Sequence, residues 1–187
     1  MISNVIANTK FMRFVIVFIA VFLLCYYGAF FFTGLAVPGG NYSPFVEKYF
    51  NIAAWLRSSL ILTAKAFLSI LGTETIRTDE YILRAVGGRG VRIVYACLGF
   101  GVMSFWLAYI AANKSSLQKK IIWIFCGLLF LWIINVVRIS LVLLAGNKGW
   151  HFPFGWDHHT WFNIVAYLAI FAMIYFFEKS FKDKSIE

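Results

Sequence analysis

The segment "IINVVRISLV" (residues 133–142) decides how this chain is read. It lies in the middle of a long apolar run, and Arg138 sits inside it. A charged side chain in hydrocarbon is costly, so such residues face a protein interior or a watery cavity and mark function by default. The competing explanation is a guanidinium that snorkels from near a helix end to the headgroups. The rest of the sequence weighs the two.

The chain has 187 residues, of which 61% are hydrophobic and only 13% charged. Soluble domains are usually about half apolar and about a quarter charged, so the composition is that of an integral membrane protein. The net charge of +9 is what the cytoplasmic flanks of membrane helices produce. No basic run is dense enough to read as a nucleic-acid-binding arm. The first apolar run exceeds the roughly 7–15 residues of a cleavable signal core and shows no small-x-small cleavage site. It reads as a retained signal anchor.

A spanning helix needs about 20 mostly apolar residues. Runs at about 11–37, 96–112, 121–144 and 158–177 meet or approach that length. They predict an all-α membrane protein, a single integral membrane domain over residues 1–187 with a bundle of about four transmembrane helices. Residues 38–95 form an extracytoplasmic insert between the first two. Within it, 51–71 is apolar but interrupted by Arg57 and Lys65, whose spacing is close to two helical turns and puts both on one face. That pattern predicts an amphipathic helix lying at the interface. The stretch "TETIRTDEYILRAVGGRGVRIVY" follows, with turn chemistry at Gly87-Gly88 and Arg89-Gly90 between β-prone residues. It predicts a small β-hairpin, 82–86 with 91–95, preceded by a short strand at 75–78. Cys25 and Cys126 lie inside apolar runs and read as buried, inert thiols.

Short-loop charges set the orientation. Lys114, Lys119 and Lys120 lie between the second and third helices, Lys179, Lys182 and Lys184 follow the fourth, and Lys10 and Arg13 precede or open the first. Four helices put all three groups in the cytoplasm. A fifth spanning helix at 51–71 would move the lysine-rich loop outside. Along ideal helices rising about 1.5 Å per residue, Cys97 then lies about 24 Å from the cytoplasmic end of its helix, Arg138 about 27 Å and His159 about 28 Å. A thiol, a guanidinium and an imidazole reach one outer layer from three helices, and hydrophobic packing requires no such coincidence.

These are the parts of a cysteine acyl-transfer site. A thiolate is the nucleophile, favoured by a neighbouring cation or His. A His takes the thiol proton and returns it to the leaving amine. A fixed guanidinium, always protonated, stabilises charge developing on a tetrahedral intermediate. His158 is the alternative to His159. His159, Asn163 and Tyr167 recur at four-residue spacing on one helical face, where Asn163 would orient the imidazole. A metal site from His151, Asp157, His158 and His159 is set aside, because adjacent histidines diverge on a helix and no H-x-x-x-H spacing occurs. No cofactor is expected, since no nucleotide-binding glycine motif is present.

The ordered set "ACLGFG" with Cys97, "NVVRIS" with Asn135 and Arg138, and "DHHTWFN" with His159 resembles the exosortase/archaeosortase family of integral membrane cysteine transpeptidases. The resemblance covers roughly residues 90–177, and the short chain looks most like the compact F-type exosortases. Two positions depart from the pattern: Leu98 stands where many members carry a small or polar residue, and Asn163 where many carry Gly. The resemblance implies that Cys97, Arg138 and His159 form the site, with Asn135 and Asn163 supporting it. It implies cleavage of exported proteins near a C-terminal tail made of a short motif, a hydrophobic helix and a basic cluster, at the outer face of the cytoplasmic (inner) membrane. Partners would be those proteins and the lipid bilayer, with no nucleic acid. Arg77, Arg84, Arg89 and Arg92 would meet an acidic motif, an anionic acceptor or simply headgroups. Two readings from other classes remain, a transporter subunit that binds an anion at Arg138 and a non-catalytic assembly scaffold. In both, Cys97 would be dispensable.

The orientation is directly measurable. In a chain lacking its native cysteines, Ser116→Cys should react with a membrane-impermeant thiol reagent only after the cytoplasmic face is opened. Labelling of intact cells from outside would overturn the four-helix arrangement.

Overall fold

The computed structural model describes residues 2–39, 41–150, 155 and 158–182, with side chains for 9–39, 41–150, 155 and 160–180. Among the described residues six α-helices run as α1 (Ile2–Leu35), α2 (Pro44–Phe50), α3 (Ile52–Ile70), α4 (Phe100–Ala112), α5 (Leu117–Lys148) and α6 (His158–Lys182). Between α3 and α4 lie three short strands, β1 (Thr75–Arg77), β2 (Ile82–Ala85) and β3 (Gly90–Arg92). Among the described residues four helices are long and apolar enough to cross a membrane: Thr9–Leu35 of α1, α3, α5, and Thr160–Ser180 of α6. α3 is in this set where the sequence predicted an interfacial helix, and α4, expected to span, is too short for it. The chain is an all-α, multi-pass membrane protein carrying one small antiparallel sheet.

Helix boundaries differ from the sequence reading in instructive ways. α1 begins at Ile2, because no Pro or Gly interrupts the residues before Phe11. α5 extends beyond 121–144 at both ends, since its flanks contain no proline and only Gly146 as a weak helix former. α4 is short, at 13 residues. It starts only at Phe100 because Gly99 takes φ +79°, a left-handed conformation that breaks the helix and that glycine adopts at no steric cost.

The chain divides into two compact units, with α5 contributing to both. In the first, residues 1–50 and 100–129, α1 packs along α4 through aromatic rings. Phe14 meets Tyr109 edge-on at 6.0 Å and Phe18 meets Phe105 at 5.2 Å between centroids. Trp106, fully buried, donates its indole N–H to the Trp123 carbonyl at 3.0 Å. An indole N–H buried away from water needs such a partner. The outer face of α1 shows Ile16, Leu24, Phe30 and Phe31, as a lipid-facing helix should. Cys126 is exposed on α5 rather than buried. In a membrane helix an outward apolar residue meets lipid, so burial inside protein is not the rule there.

The second unit, residues 51–99 and 130–187, joins α3, the sheet, the last half of α5 and α6. α3 starts at an Asn51 cap whose side chain accepts from the Ala54 N–H at 3.0 Å, the usual satisfaction of a free helical donor. Ala53, Arg57, Leu60, Ile61, Ala64 and Leu68 are its buried stripe. Arg57 is 5% exposed and fully engaged. It pairs with Glu80 at 2.5 Å, donates to the Ile93 carbonyl at 3.2 Å and lies 4.0 Å from the Tyr81 ring centre. Lys65 does not share that face; it is exposed, because eight residues overshoot two turns by most of a residue. Trp132 of α5 donates to the Ser59 hydroxyl at 3.1 Å.

The sheet has the order β1-β2-β3, all antiparallel. Thr75 faces Ala85, and Leu83 faces Val91. Leu83 and Ala85 are buried while Arg84 between them is exposed, the period-two pattern of a half-buried strand. Asp79 accepts from the Tyr81 and Ile82 N–H groups and shapes the first turn. The second turn is fastened to α5. Asn147 accepts from the Arg89 N–H at 2.7 Å and donates to the Arg89 carbonyl at 3.1 Å. A Cβ on Gly88 would stand 2.1 Å from the Asn147 amide oxygen, so this close approach requires glycine. β3 ends sooner than expected because Tyr95–Cys97 winds into a 3-10 turn.

Candidate active site

Cys97 stands on that 3-10 turn, not within a long helix. Its N–H donates to the Val94 carbonyl at 2.8 Å, and the Leu98 N–H to the Tyr95 carbonyl at 3.0 Å. Leu98 is fully buried and anchors the turn, leaving Cys97 8% exposed. The turn is also held from α5. Asn135, 1% exposed, donates from Nδ2 to the Cys97 carbonyl at 2.9 Å. Its Oδ1 has no hydrogen-bond partner among the described residues. A buried amide held on one side only is costly to keep, so the remaining acceptor faces the question of what it receives.

Arg138 lies one helical turn beyond Asn135 on α5, so both project from one face. It lines a cleft of about 290 Å³ together with Cys97, Gly90, Arg92, Val94 and Val142. Its guanidinium carbon lies 3.9 Å from the centre of the Phe162 ring on α6. A cation stacked on a ring in a partly dry site gains about 0.5–2 kcal/mol. The contact ties the guanidinium to α6.

Cys97 and Arg138 therefore meet in one cleft. His159 and its alternative His158 open α6, and their side chains lie outside the described residues. Asn163 and Tyr167 are exposed. His151 and Asp157 also lie outside the described residues, and no three His, Cys, Asp or Glu side chains group as metal ligands among those described. Of the four insert arginines, Arg92 lines the cleft and Arg89 the neighbouring cavity. Arg77 is tied to the Asp79 and Glu80 carbonyls, and Arg84 is exposed. Sequence reasoning missed Phe162 and the bond from Asn135 to the Cys97 backbone. The signal for the first was its place three and four residues after the two histidines.

Removing the amide should loosen the turn that carries the thiol. In a chain with Cys25 and Cys126 replaced, Asn135→Ala should let a small alkylating reagent reach Cys97 faster, roughly 3–10-fold if one buried hydrogen bond is lost. An unchanged alkylation rate at normal protein abundance would show that Asn135 does not hold the turn.

A stretch of 69 residues is 33% identical to Archaeosortase A of Natronomonas pharaonis, covering 37% of this chain and 22% of that protein. This chain thus spans only about a fifth of the curated relative that it matches. No solved structure matches it significantly. The model of the transmembrane exosortase family matches residues 3–176, nearly the whole chain and all the elements that build the cleft, and the chain belongs to that family.

Proposed function

We propose that this protein is a membrane-embedded cysteine peptidase and transpeptidase that removes the C-terminal sorting tail of exported proteins. The observation that carries the reading is the shared cleft of Cys97 and Arg138 in a chain of the exosortase family. The Cys97 sulfur attacks the carbonyl carbon of the scissile peptide bond, and the carbonyl oxygen takes up negative charge. Arg138 stabilises that oxyanion through its fixed fork. Collapse breaks the C–N bond and leaves a thioester on Cys97. His159 accepts the thiol proton and delivers it to the departing amine. An acceptor amine or water then attacks the thioester and frees Cys97.

His159 is chosen over His158 because 159, 163 and 167 recur at four-residue spacing on one helical face. Asn135 supports the nucleophile turn, and Asn163 is assigned the lesser role of steadying the imidazole. The reading places the protein in the cytoplasmic (inner) membrane with the cleft toward the outside. A sorting motif just beyond the substrate's own membrane helix would arrive at that depth. The orientation rests on the lysines at 114, 119 and 120 and in the C-terminal tail.

Substitutions separate chemistry from stability. Cys97→Ala should abolish processing of a tailed substrate while the protein stays inserted, and Cys25→Ala and Cys126→Ala should process normally. Arg138→Lys keeps the charge but loses the planar fork. It should be strongly impaired, and Arg138→Ala should lose about 10²–10³-fold in turnover, the usual cost of an oxyanion donor. Turnover is measured against protein abundance for each variant. Normal processing by Cys97→Ala would end the enzyme reading, and normal processing by Arg138→Ala would reduce the arginine to a snorkelling residue.

A further inference from the structure

Two cavities adjoin in the second unit. One, of about 290 Å³, holds Cys97 and Arg138. The other, of about 440 Å³, is lined by Arg89, Asn147 and Trp150. Gly90, Val91 and Val142 line both. The two thus form one groove, with β3 along one wall and the end of α5 along the other.

β3 is an edge strand. Backbone groups of successive residues in an antiparallel strand alternate between its two edges. The Ala85 N–H donates to the Arg89 carbonyl, the Ile93 N–H donates to the Tyr81 carbonyl, and Val91 lies opposite Leu83. Residues 89, 91 and 93 therefore serve β2. Gly90 and Arg92, both lining the groove, turn their N–H and C=O groups to the free edge. Asn147 takes the Arg89 N–H and gives to the Arg89 carbonyl, and so holds the turn at the head of β3 through a residue that faces β2.

Proteins normally blunt or cover a free edge, because it is a template for any extended chain. Among the described residues no backbone group pairs with the outward side of β3 along the groove that holds the candidate nucleophile. We infer that the free edge of β3 receives the substrate: an extended peptide segment adds to it as a fourth strand, bonds Gly90 and Arg92 through its backbone, and presents its scissile carbonyl to Cys97. The inference rests on the acyl-transfer reading of Cys97 and adds how the peptide is held. Strand addition draws affinity from main-chain bonds and selects side chains only at alternate positions. From residue 90 to residue 94 the wall runs about 13 Å at about 3.3 Å per residue, room for about four substrate residues. Their alternate side chains would meet Ile139 and Val142 of α5, which line the cleft.

The test uses the full chain in membranes with an exported reporter that ends in a short motif, an apolar helix and a basic cluster. Arg92→Pro deletes the outward N–H and leaves the bonds to β2, which come from Val91 and Ile93; edge strands admit proline on these terms. Shortening of the reporter should fall about 10-fold or more in Arg92→Pro relative to Arg92→Ala, which carries whatever the side chain contributes, the difference expected for a main-chain hydrogen bond. Equal losses in the two variants would assign the effect to the side chain and overturn the inference, as would normal shortening by Arg92→Pro. Should Arg92→Pro fail to accumulate, the wild-type chain decides with synthetic reporter peptides that each carry one N-methyl group. Blocks at alternate residues support strand addition, and a block at none, or only at the scissile bond, overturns it. Failure of the acyl-transfer reading looks different: shortening would then survive Cys97→Ala, whereas failure of the edge inference leaves dependence on Cys97 intact.

Discussion

The hydrogen bond from Asn135 to the Cys97 carbonyl is the constraint on which the site depends. It ties a short 3-10 turn, which has little intrinsic stability of its own, to a helix of 32 residues. Arg138 rises from the same helix one turn later. Because both residues share one rigid element, the bond that fixes the thiol-bearing turn also fixes its distance from the guanidinium. The N-x-x-R spacing thus has a mechanical reason: one residue holds the Cys97 backbone and the other lines the cleft that Cys97 lines. Phe162 completes the arrangement by meeting the guanidinium from α6.

A second amide on α5 extends the same logic. Asn147, three helical turns beyond Asn135, fastens the β2–β3 turn through Arg89 and demands glycine at position 88. Arg57 secures the opposite end of the sheet by bonding Ile93 and Glu80. The small sheet is therefore held at both ends. A chain whose helices mostly offer apolar surface to lipid has few polar contacts to spend on architecture. Here they concentrate around the cleft, which is where a site needs rigidity.

Much of this was legible in the sequence, and the reasons are physical. Apolar runs of spanning length announce membrane helices, and the Gly87–Gly90 turn between β-prone residues announced the sheet. Cys97, Arg138 and His159 stood out because each is expensive or unusual at its depth. What stayed hidden depends on tertiary geometry. Nothing local to Gly99 said that the helix after Cys97 would begin only at Phe100. The spacing of Arg57 and Lys65 suggested a shared face, but one became buried against the sheet and the other stayed exposed. Residues 52–70 are apolar and long enough to span, yet one stripe of them, Arg57 included, packs under a sheet that the local pattern cannot place. Asn135 was singled out by its motif, but its partner was a backbone carbonyl, which leaves no trace in a sequence.

The central claim is that Cys97 carries the substrate's acyl group. Rapidly quenched mixtures of the protein and a tailed reporter can be digested and examined by mass spectrometry for a covalent adduct. The account predicts that the peptide containing Cys97 gains the mass of the reporter's processed end, through a thioester that hydroxylamine releases. An adduct on Cys25, Cys126 or any other residue, or shortened reporter accumulating with no adduct on Cys97 at any quench time, would contradict it.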